Sequence, residues 1–121
     1  MSQEQIGFIG VGVMGEPMCR NIAQHSGCTV TAFDLNEEPL SRLAAIGVVR
    51  ADSIAAVVES ASIIFLSLPG GPELSRVCES NDSLLANMTT GQAVVDMSTA
   101  PVKLTRSLAK RFQAQGVDYA D

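Results

Sequence analysis

The sequence has little of what metal sites, disulfide frameworks and nucleophilic centres require. It contains one histidine and three cysteines, and none of them stands at metal-ligand spacing. An odd number of cysteines argues against a disulfide scaffold, so we interpret Cys19, Cys28 and Cys78 as reduced thiols and expect a cytoplasmic location. His25 stands at the end of the first predicted helix, where a cation is favourable, and we expect no catalytic role for it.

Positive charge and long apolar runs are also scarce. Lysine and arginine number 8 against 13 acidic residues, so the net charge of −5 argues against nucleic acid or an anionic membrane as a partner. No window approaches the ~20 apolar residues of a membrane span. The polar start Met1–Gln5 has the features of neither a signal peptide nor a transit peptide. The length predicts one domain with a hydrophobic core over residues 1–121.

The segment Ile6–Gly15 carries the strongest signal in the chain. It predicts a short apolar strand that ends in G-x-G-x-x-G and opens onto a helix. In this setting Gly10 allows a sharp turn, Gly12 leaves room for a pyrophosphate beside the backbone, and Gly15 lets helix and strand pack closely. The helix N-terminus presents N–H groups and a positive dipole end to phosphate. We therefore predict a dinucleotide site in this loop, with cofactor residues Gly10, Gly12, Val13, Met14 and Gly15.

A second signal stands at the end of Thr29–Asp34, which is rich in β-branched residues and predicts a second strand. Asp34 lies about 20 residues beyond the glycine-rich run, where a dinucleotide fold places the acid that binds the adenosine ribose. A carboxylate there accepts from the ribose hydroxyls and repels a 2′-phosphate. No arginine follows within Leu35–Glu38, so NAD is favoured over NADP. The alternative is that Asp34 caps the next helix, a role that Asn36 can fill instead.

Strand-like and helix-like segments alternate along the chain without a repeat or a linker, which is typical of a parallel sheet. We predict the α/β class and a Rossmann doubly wound sheet of order 3-2-1-4-5-6, with ligand at the carboxyl ends near strands one and four. Met14, Met18 and Ile22 predict the sheet-facing stripe of the first helix. The predicted strands lie near 6–10, 29–34, 48–49, 62–68, 93–97 and 117–119. The predicted helices lie near 13–25, 37–46, 72–79 and 101–115, with one more beginning after Asp52 or Ser53.

The segment Phe8–Ile22 resembles the signature of the β-hydroxyacid dehydrogenase family, which includes 3-hydroxyisobutyrate dehydrogenase, tartronate semialdehyde reductase and, more distantly, 6-phosphogluconate dehydrogenase. Its Met-Gly-x-x-Met-x-x-Asn extension, Met14–Asn21, is more specific than the glycines alone. Leu66–Pro69 resembles the family's Leu-Pro loop after strand four. Val95–Thr99 resembles its Asp-x-Ser-Thr loop after strand five, although Pro101 comes earlier than the usual proline, so this loop is expected to differ in detail.

The resemblance implies roles for both of these loops. Leu68 and Pro69 would contact the adenosine and ribose side of the cofactor, or would alternatively only terminate the strand. Thr99 would contact the cofactor near the nicotinamide, and Ser98 would bind the substrate carboxylate. The alternative from the residues themselves is that Ser98 or Thr99 caps the following helix.

The resemblance also implies a catalytic half outside this chain. Hydride chemistry needs a proton donor or acceptor at the substrate oxygen, and both lysines, Lys103 and Lys110, fall on the last predicted helix. In the family the catalytic lysine comes from a helical second domain, and a glycine-rich loop beyond the sixth strand binds substrate. We therefore expect no catalytic residue and no metal site in 1–121, NAD as cofactor, a small 3-hydroxy acid as substrate, and a homo-oligomer in the full-length form.

Two alternatives stay open at this point. The first is a cofactor-binding or sensing module without catalysis, which would be distinguished by whether the gene continues past Asp121 into a lysine-bearing helical domain. The second is a relative of the imine reductases. Those resemble NADP users with an arginine after strand two, and Asp34 argues against them.

Overall fold

The computed structural model describes residues 5–121, and the polar segment Met1–Glu4, predicted not to belong to a targeting peptide, lies outside the described residues. The strands are β1 (Gln5–Ile9), β2 (Thr29–Phe33), β3 (Val49–Arg50), β4 (Ile63–Leu66), β5 (Ala93–Asp96) and β6 (Asp118–Ala120). The helices are α1 (Gly15–His25), α2 (Glu37–Ala44), α3 (Ile54–Ser60), α4 (Gly71–Glu79), α5 (Leu84–Asn87) and α6 (Val102–Ala114).

The strands form a single parallel sheet in the order β3-β2-β1-β4-β5-β6. This order confirms the predicted doubly wound Rossmann sheet of the α/β class. The chain starts at the centre in β1, builds outward to β3, and then returns to form β4 on the other side of β1. The carboxyl ends of β1 and β4 therefore flank the switch point at which doubly wound sheets bind their ligands.

Helices cover both faces of the sheet, and each face has its own apolar core. Adjacent residues of a strand point to opposite faces, so in β1 the side chain of Phe8 packs with α1 and α2, while Ile9 packs with the helices of the second half. Phe8 and Phe112 are fully buried, one in each core. A strand covered on both faces has no polar side, which explains the almost continuous apolar run in β4.

Short polar side chains fix the starts of three helices, among them α2 and α3. Asn36 Oδ1 accepts from the backbone N–H of Glu38 at 3.2 Å, so Asn36 and not Asp34 caps α2. Ser53 Oγ accepts from the N–H of Ala56 at 3.1 Å and caps α3, which decides between the two predicted candidates. The carboxylate of Asp34 is therefore left for another role.

The predicted sheet-facing stripe of α1 is wrong at one position. The helix begins at Gly15, and the Met14 side chain before it is 71% exposed. Met18 and Ile22 pack partly against the core as predicted, while Cys19 on the same helix is fully buried. Residues before Gly15 form the turn rather than the helix, so helical spacing does not decide which way their side chains point.

Candidate functional site

Three loops meet at the carboxyl ends of β1, β4 and β5, over residues 10–14, 67–70 and 97–101. They border a cleft of about 840 Å³. Every predicted cofactor residue lines it: Gly10, Gly12, Val13, Met14, Gly15, Asp34, Leu68, Pro69 and Thr99. Ser98, predicted to bind substrate, is half-buried between two residues that line the cleft and does not line it itself. The structure thus brings the predicted cofactor residues together, and their contact with a cofactor stays a prediction.

The three glycines of the first loop differ in what surrounds them. Gly10 has a φ of +96°, and a Cβ there would stand 2.2 Å from the carbonyl oxygen of Ser67. A Cβ on Gly15 would stand 1.9 Å from the carbonyl oxygen of Gly10. Both glycines are therefore required by the packing of the fold itself. A Cβ on Gly12 would meet no protein atom within 4 Å, so nothing inside the described chain explains a glycine at this position.

The start of α1 gives the first loop its electrostatic character. The N–H of Glu16 donates to the carbonyl of Gly12 at 2.9 Å, and Met14, which precedes the helix, supplies no side-chain cap. The first N–H groups of a helix lack partners within the helix, and the helix dipole is positive at this end. Because Gly12 lies on the cleft wall beside this terminus, the loop offers an anion such as a pyrophosphate both space and donors.

Asp34 ties the end of β2 to this loop. Its Oδ2 accepts from the backbone N–H of Val11 at 2.8 Å, and its Oδ1 accepts from the N–H of Asn36 at 2.8 Å. Each carboxylate oxygen has a second lone pair, so the group retains the capacity to accept from a ligand hydroxyl. The carboxylate therefore has a fixed position and also holds the glycine-rich turn in place.

The arginine of α2 is held away from the cleft. Arg42 donates twice to the carboxylate of Glu16, from Nε at 2.7 Å and from Nη2 at 2.8 Å, and Arg20 adds a contact of 3.2 Å. These hydrogen bonds and charges, Arg42 first, hold the pKa of Glu16 below its usual value. The guanidinium of Arg42 is therefore engaged by Glu16, and Arg42 does not line the cleft formed within residues 5–121.

The second and third loops are joined by hydrogen bonds. The N–H of Leu68 donates to Ser98 Oγ at 2.9 Å, and the N–H of Thr99 donates to the carbonyl of Leu68 at 3.3 Å. Pro101 precedes α6 and provides no side-chain cap, so the alternative that Ser98 or Thr99 caps this helix is wrong. Leu68 and Pro69 both line the cleft, and their contact with a cofactor stays a prediction.

Part of the cleft wall was not predicted from the sequence. The N-terminus of α3 and one side of α4 contribute to it, and the carboxylate of Asp82 accepts there from the N–H groups of Ile54 at 2.9 Å and Ala55 at 3.0 Å. The parts of α3 and α4 that line the cleft, and Asp82, lie in segments without a recognised motif. They could have been identified from the sequence only through the expectation that α3 and α4 start at the carboxyl edge of the sheet. The unpredicted lining residues include Leu35, Ile54, Glu73, Arg76, Val77, Asp82 and Met97.

The described residues offer no metal site, and two of the three thiols are buried. Within residues 5–121 no group of three histidine, cysteine or acidic side chains is arranged to hold a metal ion. Burial raises the pKa of both Cys19 and Cys78 to about 12, so these thiols stay neutral. His25 is exposed at the end of α1. The described helices also include none long and apolar enough to cross a membrane.

A doubly wound parallel sheet, a glycine turn with one glycine facing open space, and an acid at the end of β2 together define a dinucleotide-binding domain. Comparison with protein families agrees with this class. The family described as the NAD-binding domain of 6-phosphogluconate dehydrogenase matches residues 5–121, so the chain belongs to it. This places the chain within the β-hydroxyacid dehydrogenases. The chain is therefore an NAD-binding domain, as the sequence predicts.

Individual relatives support the same assignment. The chain is 36% identical over 117 residues to 2-(hydroxymethyl)glutarate dehydrogenase of Eubacterium barkeri, covering 97% of this chain and 38% of that protein. The solved structure of Psf3 in complex with NADP+ and 2-OPP superposes with a TM-score of 0.90 at 32% identity, covering 94% of this chain and 40% of that one. The structure of 3-hydroxyisobutyrate dehydrogenase of Mycobacterium tuberculosis with L-serine gives a TM-score of 0.85 at 29% identity, covering 98% of this chain and 39% of that one.

Proposed function

We propose that this chain is the cofactor-binding part of an oxidoreductase that transfers a hydride between NAD and a small 3-hydroxy acid, such as 3-hydroxyisobutyrate. The observation that carries this proposal is Gly12, which lines the cleft beside the start of α1 and has no protein atom near its missing side chain. The names of the relatives, which include 3-hydroxyisobutyrate dehydrogenase, support the class of substrate. The chain spans about two fifths of those relatives' length, so the activity is proposed for the whole protein.

Each loop has a proposed part in holding the cofactor, which supplies the hydride chemistry when bound. Residues 10–15 hold the pyrophosphate with backbone N–H groups, and Asp34 accepts from the adenosine ribose. Leu68 and Pro69 contact the adenosine and ribose side. Thr99 contacts the cofactor towards the nicotinamide, and Ser98 binds the substrate carboxylate. Because Ser98 Oγ already accepts from the N–H of Leu68, what it offers a carboxylate is its hydroxyl proton.

The proton donor or acceptor for the substrate oxygen is proposed to lie in a helical second domain that carries a lysine. Lys103 and Lys110 are both exposed on α6, and neither lines the cleft formed by the described residues. We further propose a cytoplasmic location, supported by three free cysteines, and a homo-oligomeric full-length form. These parts of the proposal go beyond the NAD-binding domain itself.

The preference between NAD and NADP tests the role of Asp34. We expect tighter binding of NAD than of NADP, because the carboxylate of Asp34 repels a 2′-phosphate and no arginine lies within residues 35–38. Replacing Asp34 with alanine should reduce this preference by about 1–3 kcal/mol, as for hydrogen bonds to a charged acceptor. Isothermal titration calorimetry with both cofactors measures it.

Two further variants separate the effect of the charge of Asp34 from a change in the loop and from a general change in surface charge. Asp34→Asn keeps one oxygen, which can accept from the N–H of Val11, but removes the charge and sets an NH2 group against the N–H of Asn36. It should relax the preference, and thermal unfolding of this variant verifies that the loop is retained. Glu59→Ala removes an exposed acid on α3, outside the cleft, and should change neither affinity. Equal or tighter binding of NADP by the unaltered chain would contradict the proposed role of Asp34.

A further inference from the structure

A buried carboxylate stands at the end of β5, behind the loop that carries Ser98 and Thr99. Asp96 is only 4% exposed. Its Oδ1 accepts from the backbone N–H of Ser98 at 2.9 Å, and its Oδ2 accepts from the hydroxyl of Tyr119. A buried charge is costly unless its oxygens are hydrogen-bonded, so both donors matter to where this carboxylate lies. One of the two belongs to the loop, and the other belongs to β6.

Tyr119 is fixed by its strand and by its ring. In the sheet Tyr119 pairs with Val94, and Asp96 lies two residues further along β5, so both side chains are on the same face. The ring of Tyr119 stacks on that of Phe112, with centroids 5.4 Å apart and planes inclined by 11°. Burial and the neighbouring carboxylate raise the pKa of Tyr119, so its hydroxyl keeps its proton and acts as the donor to Asp96.

The chain of hydrogen bonds continues from Asp96 into the cleft wall. The N–H of Ser98 donates to Asp96, and Ser98 Oγ in turn accepts from the N–H of Leu68. Leu68 and Thr99 both line the cleft, and they are bonded to each other through the N–H of Thr99. The hydroxyl of Tyr119 is thus connected, through Asp96 and Ser98, to the second and third loops of the site.

We propose that Tyr119 is a positioning residue of the cofactor site, whose hydroxyl fixes the Ser98–Thr99 segment through the carboxylate of Asp96. This inference rests on the proposed function, in which that segment faces the nicotinamide end of the cofactor. Asp34 accepts from the N–H groups of Val11 and Asn36, and the glycine loop has its own hydrogen bonds to β2 and α1. None of these bonds includes Asp96 or Tyr119. Loss of the hydroxyl should therefore disturb the nicotinamide end of the bound cofactor more than the adenosine end, which the series of bonds reaches only through Leu68.

The test compares NAD with ADP-ribose, which contains the adenosine and the pyrophosphate but lacks the nicotinamide. Tyr119→Phe removes one hydroxyl and keeps the ring on Phe112. By calorimetry it should weaken NAD binding about three- to tenfold, within the limit set by the net free energy of one hydrogen bond, and weaken ADP-ribose binding clearly less, because Leu68 is the one proposed adenosine-side residue bonded to Ser98. Thr105→Val is a matched control, because the Thr105 hydroxyl donates only within α6, to the carbonyl of Val102 at 3.0 Å. It should change neither affinity.

A second measurement does not depend on the ligands. In amide-resolved NMR spectra of the unliganded chain, Tyr119→Phe should shift the signals of Ser98 and Leu68, while Thr105→Val should not. Equal weakening of NAD and ADP-ribose by Tyr119→Phe would overturn the inference, and so would unchanged affinity for NAD with unchanged Ser98 and Leu68 signals. If the unaltered chain binds neither ligand, the proposed function fails and the inference fails with it. If it binds both, only the behaviour of the variant decides.

Discussion

Replacing Gly12 with valine is expected to abolish NAD binding and to leave the fold intact. A Cβ at this position meets no protein atom within 4 Å and Gly12 is exposed, so we expect the folded chain to accept a larger side chain there. The same side chain would project into the space beside the start of α1 that the pyrophosphate is proposed to occupy. We expect the affinity for NAD to fall by about 100-fold or more, which corresponds to roughly 2.7 kcal/mol. Calorimetric titration with NAD measures the loss, and thermal unfolding followed by circular dichroism verifies the fold.

The neighbouring glycine provides the opposite control. A Cβ on Gly15 would stand 1.9 Å from the carbonyl oxygen of Gly10, a backbone atom that cannot move aside without displacing β1. Gly15→Ala should therefore lower the temperature of unfolding, whether or not NAD is present. The two variants together separate a glycine required by the ligand from one required by packing. A Gly12→Val chain that is folded and binds NAD as tightly as the unaltered chain would show that the phosphate loop is wrongly assigned.

The fold was predictable because its signals are local and repeated. Each strand of a parallel sheet is covered on both faces, so β1, β4 and β5 appear in the sequence as short apolar runs separated by helical spacing. The order of the strands follows from the alternation of strands and helices along the chain, together with the position of the glycine turn after β1. The failure at Met14 has a local cause as well. Its spacing from Met18 and Ile22 is helical, but the turn that serves the glycine loop extends as far as Met14.

The candidate site was predictable only where a motif marks it. The glycine turn, Asp34 and the two motif loops all line one cleft, because strand ends in a parallel sheet meet at the same edge. The lining from α3 and α4 was missed, since side chains such as Arg76 and Val77 have no local pattern that identifies them. Contacts between residues far apart in the chain also produce no recognisable spacing of residue types along the sequence. The bond from Val11 to Asp34 and the bond from Tyr119 to Asp96 are of this kind.

These long-range bonds show how the domain could hold a ligand that spans its whole edge. Asp34 fixes the glycine turn from one side, and Asp96 fixes the Ser98 loop from the other, each through a carboxylate that accepts from a backbone N–H. Charge-assisted hydrogen bonds of this type are stronger than neutral ones, so the two halves of the cleft are prearranged before a ligand arrives. Prearranged donors lose less entropy on binding. Both carboxylates therefore act within the domain by holding loops of the cleft in place.

The 121 residues on their own are expected to bind NAD and to show no turnover of hydroxy acids. No lysine, histidine or cysteine of the described residues lines the cleft, and Arg76 there cannot exchange a proton at neutral pH. Of the three carboxylates that line it, those of Asp34 and Asp82 already accept from backbone N–H groups, which leaves Glu73. General acid–base assistance contributes about 10²–10⁴-fold to such reactions, and the loss of substrate positioning lowers the rate further. The rate of NADH formation from 3-hydroxyisobutyrate or glycerate should therefore equal that of a control without protein.

The control for this experiment is a complete relative assayed in parallel, such as the 3-hydroxyisobutyrate dehydrogenase of Pseudomonas aeruginosa, over 39% of whose length this chain aligns. NAD binding by the same preparation of the 121 residues must be established by calorimetry, so that inactivity is not mistaken for misfolding. Substantial turnover by this chain would contradict the division of labour proposed above, because it would require an acid or base among the residues that line the cleft. Glu73 would then be the first residue to replace, since it lines the cleft, whereas the carboxylates of Asp34 and Asp82 already accept from backbone N–H groups.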